Sequence, residues 1–432
     1  MEARINPFQE TMLYWNDLTP YNAVHVARVQ GHPDPQRLRS AVEATLHARH
    51  LTDLTIDRGR KRFYFGDTEL QTDICILPFQ GDARQALIQQ TEIELNTPFD
   101  CRQAFNPFRF FVSQDVGAFY LGLVYFHALA DGEAIIRLLR EIIDRYLDKR
   151  RPSLKSDHSV CSTSLWRLLP RSPLCVFRWL HAIPRHIQGI REIFRPPLHS
   201  DESPRTVFNL WDLDPAAYPE LIRYARRLGV TLNDVFLGVL MKALSPHAQG
   251  RFEAEHRRQL AIAFIVNIRR DLSGLADDTF GMFLSSYHIA HPLPTTMTLD
   301  ELIREIQPKT KEIKRKKLYV LNLLGQILSI RWLKKHDRRQ RAKFYRHNYP
   351  LWGGITNVDL AWYWEDLPCD DFYYFRAASV GPAVPLALAI TTANNRVSLA
   401  VSSNPQIFKA EDIEKIMNDF VATLSSFPET KT

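Results

Sequence analysis

The ten residues Tyr125–Ala134, YFHALADGEA, sit between an unbroken apolar run, AFYLGLV (118–124), and an amphipathic stretch, IIRLLREIIDRYL (135–147). The first run is what a β-strand covered on both faces requires. In the second, Ile135, Leu138, Leu139, Ile142, Ile143 and Tyr146 recur at helical spacing and mark one buried face. The ten residues therefore read as a strand end, a tight turn at Asp131-Gly132 and a helix start. Gly132 allows a close turn. His127, delivered to the edge of a sheet, could take a proton from a hydroxyl or amine. It could equally satisfy a backbone carbonyl while Asp131 only caps the helix. Local physics leaves both readings standing.

Working outward, Asp34-Pro35 is an N-cap followed by proline at the first helical position, and Leu38, Val42 and Leu46 continue a helix to about His50. LTIDRGRKRFYF predicts two short strands around a turn at Gly59. Downstream, Asp214-Pro215 opens a helix that Gly229 ends, and Thr231 caps LNDVFLGVLMKAL. IAFIVNI and VSLAVSSN predict strands, and AEDIEKIMNDFVATL a last amphipathic helix. Mixed sheets with helices on their faces, occurring twice, make an α/β (α+β) chain. The expected boundaries are an N-terminal lobe over 1–150, a proline-rich, basic connection over 151–204 and a C-terminal lobe over 205–432. RYARRLGVTLNDVFLGVL has the rhythm of a DNA-binding helix-turn-helix, but its second helix is apolar around most of its circumference. A recognition helix must offer polar side chains to a groove, so no nucleic-acid partner is expected.

At 432 residues, with 45% hydrophobic and 24% charged, the chain suits two globular units. No signal-peptide pattern is visible at MEARINPFQETML. No apolar run reaches the roughly 18–20 residues that span a bilayer. Five scattered cysteines without a CxxC pair fit free thiols in a reducing compartment, and a cytoplasmic location is expected.

The net charge of +7 is unevenly placed: 309–346 carries fourteen Lys or Arg against Glu312 and Asp337. A second segment, 165–195, interleaves six Arg and one Glu with apolar and Trp residues. A solvated face is the plain reading of such runs. The density of cations beside LYVLNLLGQILSI favours a lipidic or acidic partner: a membrane surface, a carrier protein or the phosphates of coenzyme A.

Among chemical motifs, the chain has no GxSxG, GxxxxGK, GxGxxG or HExxH, and its paired histidines His47/His50 and His288/His291 lack a metal-binding setting; no metal is expected. What remains is HxxxDG. FHALADG resembles the HHxxxDG signature of the chloramphenicol-acetyltransferase-like superfamily. That group includes nonribosomal-peptide condensation domains, wax ester synthases, plant alcohol acyltransferases and polyketide-associated acyltransferases. NPFQETMLYW, VTLNDVFLGVLMKAL, IVNIRRDLSG, FGMFLSSY, GGITNVDL and SSNPQIFKAEDIEKIMNDF resemble further segments of that superfamily, in the same order.

The resemblance implies two similar lobes forming a V with a central tunnel. It implies an acyltransferase in natural-product or lipid biosynthesis, with His127 as general base and no covalent acyl-enzyme. Asp131 and Gly132 are then structural, and Phe126, Ser285 and Asn357 line the tunnel. No bound cofactor is implied; a coenzyme A or phosphopantetheine thioester is co-substrate, and the partner is acyl-CoA or an acyl or peptidyl carrier protein. Contact with a membrane surface through 165–195 and 309–346 would make the protein peripheral. A stand-alone condensation enzyme forming amides and a non-catalytic binding scaffold are the alternatives. Two departures stand out: Phe126 replaces the first motif His, and the DFGWG motif of the plant enzymes is missing. The RHxxLR pattern that would partner Asp131 is half present at Arg49–Leu54, leaving Arg60 or Arg62 as substitutes.

Overall fold

The computed structural model describes residues 1–66, 72–78, 81–149, 183–184, 186–199, 204–272, 279–364 and 372–427. Most of the expected connection 151–204 lies outside them. The described chain forms two compact units, and these are not contiguous stretches. One takes its residues from 1–149, 267–284 and 359–379; the other from 183–266, 285–358 and 380–427. Compared with lobes of 1–150 and 205–432, two segments of the second half are lent to the first unit.

The first unit is built on a five-stranded mixed sheet. Its strands are β2 (Asn22–Gln30), β5 (Ile74–Leu77), β6 (Phe108–Asp115), β7 (Ala118–Phe126) and β12 (Tyr374–Ala378), in the order β12-β2-β7-β6-β5. Strand β5 runs parallel to β6 and the other pairs are antiparallel. The apolar run at 118–126 becomes the central strand β7, buried at every position except Tyr120. Gly122 in that strand faces the ring of Phe111, where a Cβ would come within 2.2 Å of Cζ. A three-stranded antiparallel sheet, β1 (Glu2–Arg4), β4 (Arg62–Phe65) and β3 (Leu54–Asp57), lies in the same unit.

Helix α2 (Pro35–Ala48) is capped by Asp34, whose side chain accepts from the Gln36 and Arg37 amides. It packs against α4 (Gly132–Tyr146), and its Leu38, Val42 and Leu46 are buried. Helices α1 (Pro7–Asn16) and α3 (Ala83–Asn96) complete the unit.

In the second unit, six strands follow the order β10-β9-β11-β13-β14-β8: β8 (Val207–Leu213), β9 (Leu260–Asn267), β10 (Leu284–His291), β11 (Gly353–Asp359), β13 (Leu386–Ala393) and β14 (Arg396–Ser403). Helix α5 (Ala217–Leu228) ends at Gly229, whose φ of 69° is the left-handed cap that glycine adopts without strain. Thr231 and Asp234 form a capping box at the start of α6 (Leu232–Leu244). Val235, Phe236, Leu237, Val239, Leu240, Met241 and Leu244 are all buried, which places the helix in the core of this unit. Helices α7 (Leu299–Arg315), α8 (Tyr319–Leu333), α9 (Arg338–Asn348) and α10 (Ala410–Ser425) follow.

Of the five cysteines, Cys75 and Cys101 are free thiols, and Cys161, Cys175 and Cys369 lie outside the described residues. Among the described residues no single helix is long and apolar enough to cross a membrane.

Candidate active site

At the end of β7 the side chains alternate across the sheet. Tyr125 and His127 share one side, their rings edge to face at 5.5 Å. Phe126 points to the other, where its fully buried ring meets Phe99 and Phe105 at 6.1 and 5.7 Å. Phe126 therefore packs in the hydrophobic core of the first unit. A histidine at 126 would enter an apolar pocket without a hydrogen-bond partner. Phe126→His is accordingly expected to lower the melting temperature while leaving any His127-dependent rate without a gain. Thermal unfolding and a rate assay on the same variant check both halves.

The ring of His127 stacks on Tyr21 at 5.3 Å. Burial pushes its pKa down to about 4, opposed by the nearby backbone at Ala130 and by the Asp131 carboxylate. The imidazole is thus neutral at pH 7. Nδ1 is buried and finds no partner at strict hydrogen-bonding geometry among the described residues, although the backbone at Ala130 lies close enough to favour the charged ring. A neutral imidazole can accept a proton at Nε2, the ring nitrogen that is not buried without a partner.

Asp131 is fully occupied in holding the loop. It is the N-cap of α4, accepting from the Ala134 amide at 2.9 Å. It also accepts from Nη2 of Arg269 at 2.9 and 3.0 Å and from the Phe283 amide at 2.9 Å. A carboxylate offers about four acceptor positions, so none is left for chemistry. The pair is buried, Asp131 1% and Arg269 7% exposed. Arg269 is held in turn: Nη1 donates to the Thr279 carbonyl at 2.7 Å and the guanidinium lies over the Phe283 ring. Glu133 lies 3.5 Å from Nε.

The partner of Asp131 is therefore Arg269, not Arg60 or Arg62, which sit beside Asp57 and Glu2 respectively. Arg269 was in view within IVNIRRDLSG, but nothing local tied it to residue 131. On the other side of the loop, the carboxamide of Gln9 donates to the Ala128 carbonyl at 3.0 Å.

Gly132 is not among the positive-φ glycines, so its role is not the turn angle. A Cβ there would lie 3.3 Å from Nη1 of Arg376 and 3.7 Å from Cε1 of His25. The glycine lets a buried polar layer pack directly under the loop. His25 on β2 contacts the Tyr374 hydroxyl through Nδ1 at 2.7 Å, and Arg376 stands opposite His25 in the β12–β2 register. Burial, then Arg376, then His127 hold the His25 pKa well below its ordinary value, so this second imidazole is also neutral. His25, Tyr374 and Arg376 were missed in the sequence. A lone His inside the apolar strand NAVHVARV was the available signal.

The remaining candidates lie in the second unit. Ser285 is fully buried and its hydroxyl donates to the Tyr319 carbonyl at 2.9 Å. It ties β10 to α8. Asn357 on β11 is half-buried, and its Oδ1 has no partner among the described residues. No group of three or more His, Cys, Asp or Glu able to hold a metal occurs among the described residues.

No protein-family model and no curated protein matches the sequence. Solved structures do match over nearly its whole length. The cyclization-docking bidomain of the nonribosomal peptide synthetase EpoB from Sorangium cellulosum superposes with a TM-score of 0.72 at 14% identity, covering all of this chain and 85% of that one. The first condensation domain of the calcium-dependent antibiotic synthetase gives 0.69 at 12%, covering 99% and 97%. SgcC5 from Streptomyces globisporus gives 0.68 at 14%, covering 98% of each. The chain shares the fold of these structures.

Proposed function

We propose that this chain is an acyltransferase that moves an acyl group from a thioester to a hydroxyl or amine, with His127 as general base. The observation that carries the proposal is a neutral, half-buried imidazole, stacked on Tyr21 and set on a loop that Asp131 and Arg269 clamp. In the step, the acceptor oxygen or nitrogen attacks the thioester carbonyl as His127 takes its proton. The tetrahedral oxyanion then collapses, expelling the thiolate, which receives the proton back from the imidazolium. No acyl-enzyme forms and no cofactor is bound; the donor is a coenzyme A or phosphopantetheine thioester. Asp131 and Gly132 keep the loop in shape.

Two alternatives differ in their donor or in their chemistry. A stand-alone condensation enzyme would join two carrier-bound substrates as an amide. A non-catalytic scaffold would bind thioester without turnover, but the replacement of the first motif His by Phe126 lends that reading no support, because residue 126 faces the core.

The test offers acetyl-, octanoyl- and palmitoyl-coenzyme A, and the same acyl groups on a phosphopantetheinyl carrier protein, with a set of alcohols and amines. Thiol release and intact mass are read. Acceptor-dependent thiol release with free coenzyme A thioesters is the expected result. Turnover only between two loaded carriers would select the condensation enzyme. Saturable binding without turnover of any donor would refute the proposal.

A further inference from the structure

The run of cations at 309–346 becomes α7 from Lys309 onward, α8 and α9, all in the second unit. Helix α8 has two unlike faces. Tyr319, Leu323, Gln326, Ile330 and Leu333 are buried. From residue 324 onward the other face carries Leu324, Ile327, Leu328, Arg331 and Trp332, at the three- and four-residue spacing that aligns side chains along a helix. Leu328 is 64% exposed and Trp332 37%.

Exposed Arg331, Lys334 and Lys335 surround this apolar stripe, and exposed Arg338, Arg339 and Lys343 follow on α9. Trp332 is held in place, its ring stacked on His336 at 3.5 Å and on Phe344 at 4.6 Å. An ordinary solvated charge run has no reason to expose leucine and an ordered tryptophan among its cations.

We propose that this face of α8, with the cations that follow it, docks on an anionic phospholipid surface. The arrangement has the parts that interfacial binding uses: an apolar stripe to enter the acyl boundary, an indole at the headgroup level, and lysine and arginine around them to meet lipid phosphates. Attraction to an anionic leaflet depends on cations close to the surface and is screened by salt. An acidic carrier protein would meet the same charge, but gives no account of a protruding Leu328 beside a Trp. The proposal goes beyond acyl transfer and does not depend on it, since it is read by binding alone.

The test is co-sedimentation of the full chain with vesicles of phosphatidylcholine and of phosphatidylcholine containing about one quarter phosphatidylglycerol. Binding to the anionic vesicles, weak binding to the neutral ones and loss of binding at about 0.5 M salt are expected. Leu328→Glu should weaken partitioning at least about tenfold, and Lys334→Gln with Lys335→Gln by about fivefold per charge. Neither should alter thermal unfolding, because these side chains lie outside the core. Ile93→Glu, at a residue 56% exposed in the other unit, should bind vesicles as the wild type does. Equal binding to the two vesicle types, or wild-type binding by Leu328→Glu, would overturn the proposal. So would saturable binding of an acidic carrier protein, lost in Leu328→Glu, with no binding to vesicles.

Discussion

Arg269→Ala is expected to lower the melting temperature by roughly 6–20 °C. Removing one partner of a buried ion pair costs about 3–5 kcal/mol, and each kcal/mol shifts melting by about 2–4 °C at this domain size. The cost arises because Asp131, almost inaccessible to water, would keep its charge and lose two of its hydrogen bonds. Asp131→Ala should be at least as damaging, since it also removes the cap of α4, worth about 1 kcal/mol. The double variant should cost less than the sum of the two, because the second change removes the charge that the first one stranded. Melting by circular dichroism on the three proteins measures this directly. A wild-type melting temperature for Arg269→Ala would mean that the pair does not hold the loop.

His127→Ala is the complementary case, with a large effect on rate and a small one on stability. General-base assistance is worth about 10²–10⁴-fold, and turnover should fall by that factor. The fold should survive, because the ring carries no side-chain hydrogen bond among the described residues and the chief losses are its ring contacts with Tyr21 and Tyr125. The pH dependence follows from the depressed pKa. The active form is the neutral imidazole, and it stays neutral until pH falls towards about 4. The rate should therefore hold through the usual histidine range near 6.5 and decline only as pH drops towards about 4. The same sign applies to stability. A histidine buried neutral contributes stability that is fully present above its unfolded pKa and is lost as pH falls through its folded value.

Much of the first unit was legible because its signals are local. The apolar run 118–126 could only be a doubly covered strand, and Asp34-Pro35 announced its helix. The interleaving of the two units was not legible. Strand β12 pairs with β2 across some 350 residues, Arg376 opposite His25, and no local pattern encodes that register. The polar layer under Gly132 was hidden for the same reason, so the glycine was read through its backbone freedom and not through the guanidinium beside it. Arg269 was visible within its motif but not connected to Asp131, because the contact spans 138 residues. Phe126 was different. Strand alternation alone puts it on the face opposite His127, and that period-two signal was available in YFHALADG. Ser285 shows the limit of segment resemblance: a matching segment could not tell that its hydroxyl is spent on the Tyr319 carbonyl.

The most direct test of the central claim is thiol release from the thioester panel by wild type and His127→Ala side by side, with melting curves on the same preparations. Acceptor-dependent release by the wild type, a fall of about 10²–10⁴-fold in the variant and nearly coincident melting curves are predicted. A folded His127→Ala protein that turns over at the wild-type rate would contradict the account.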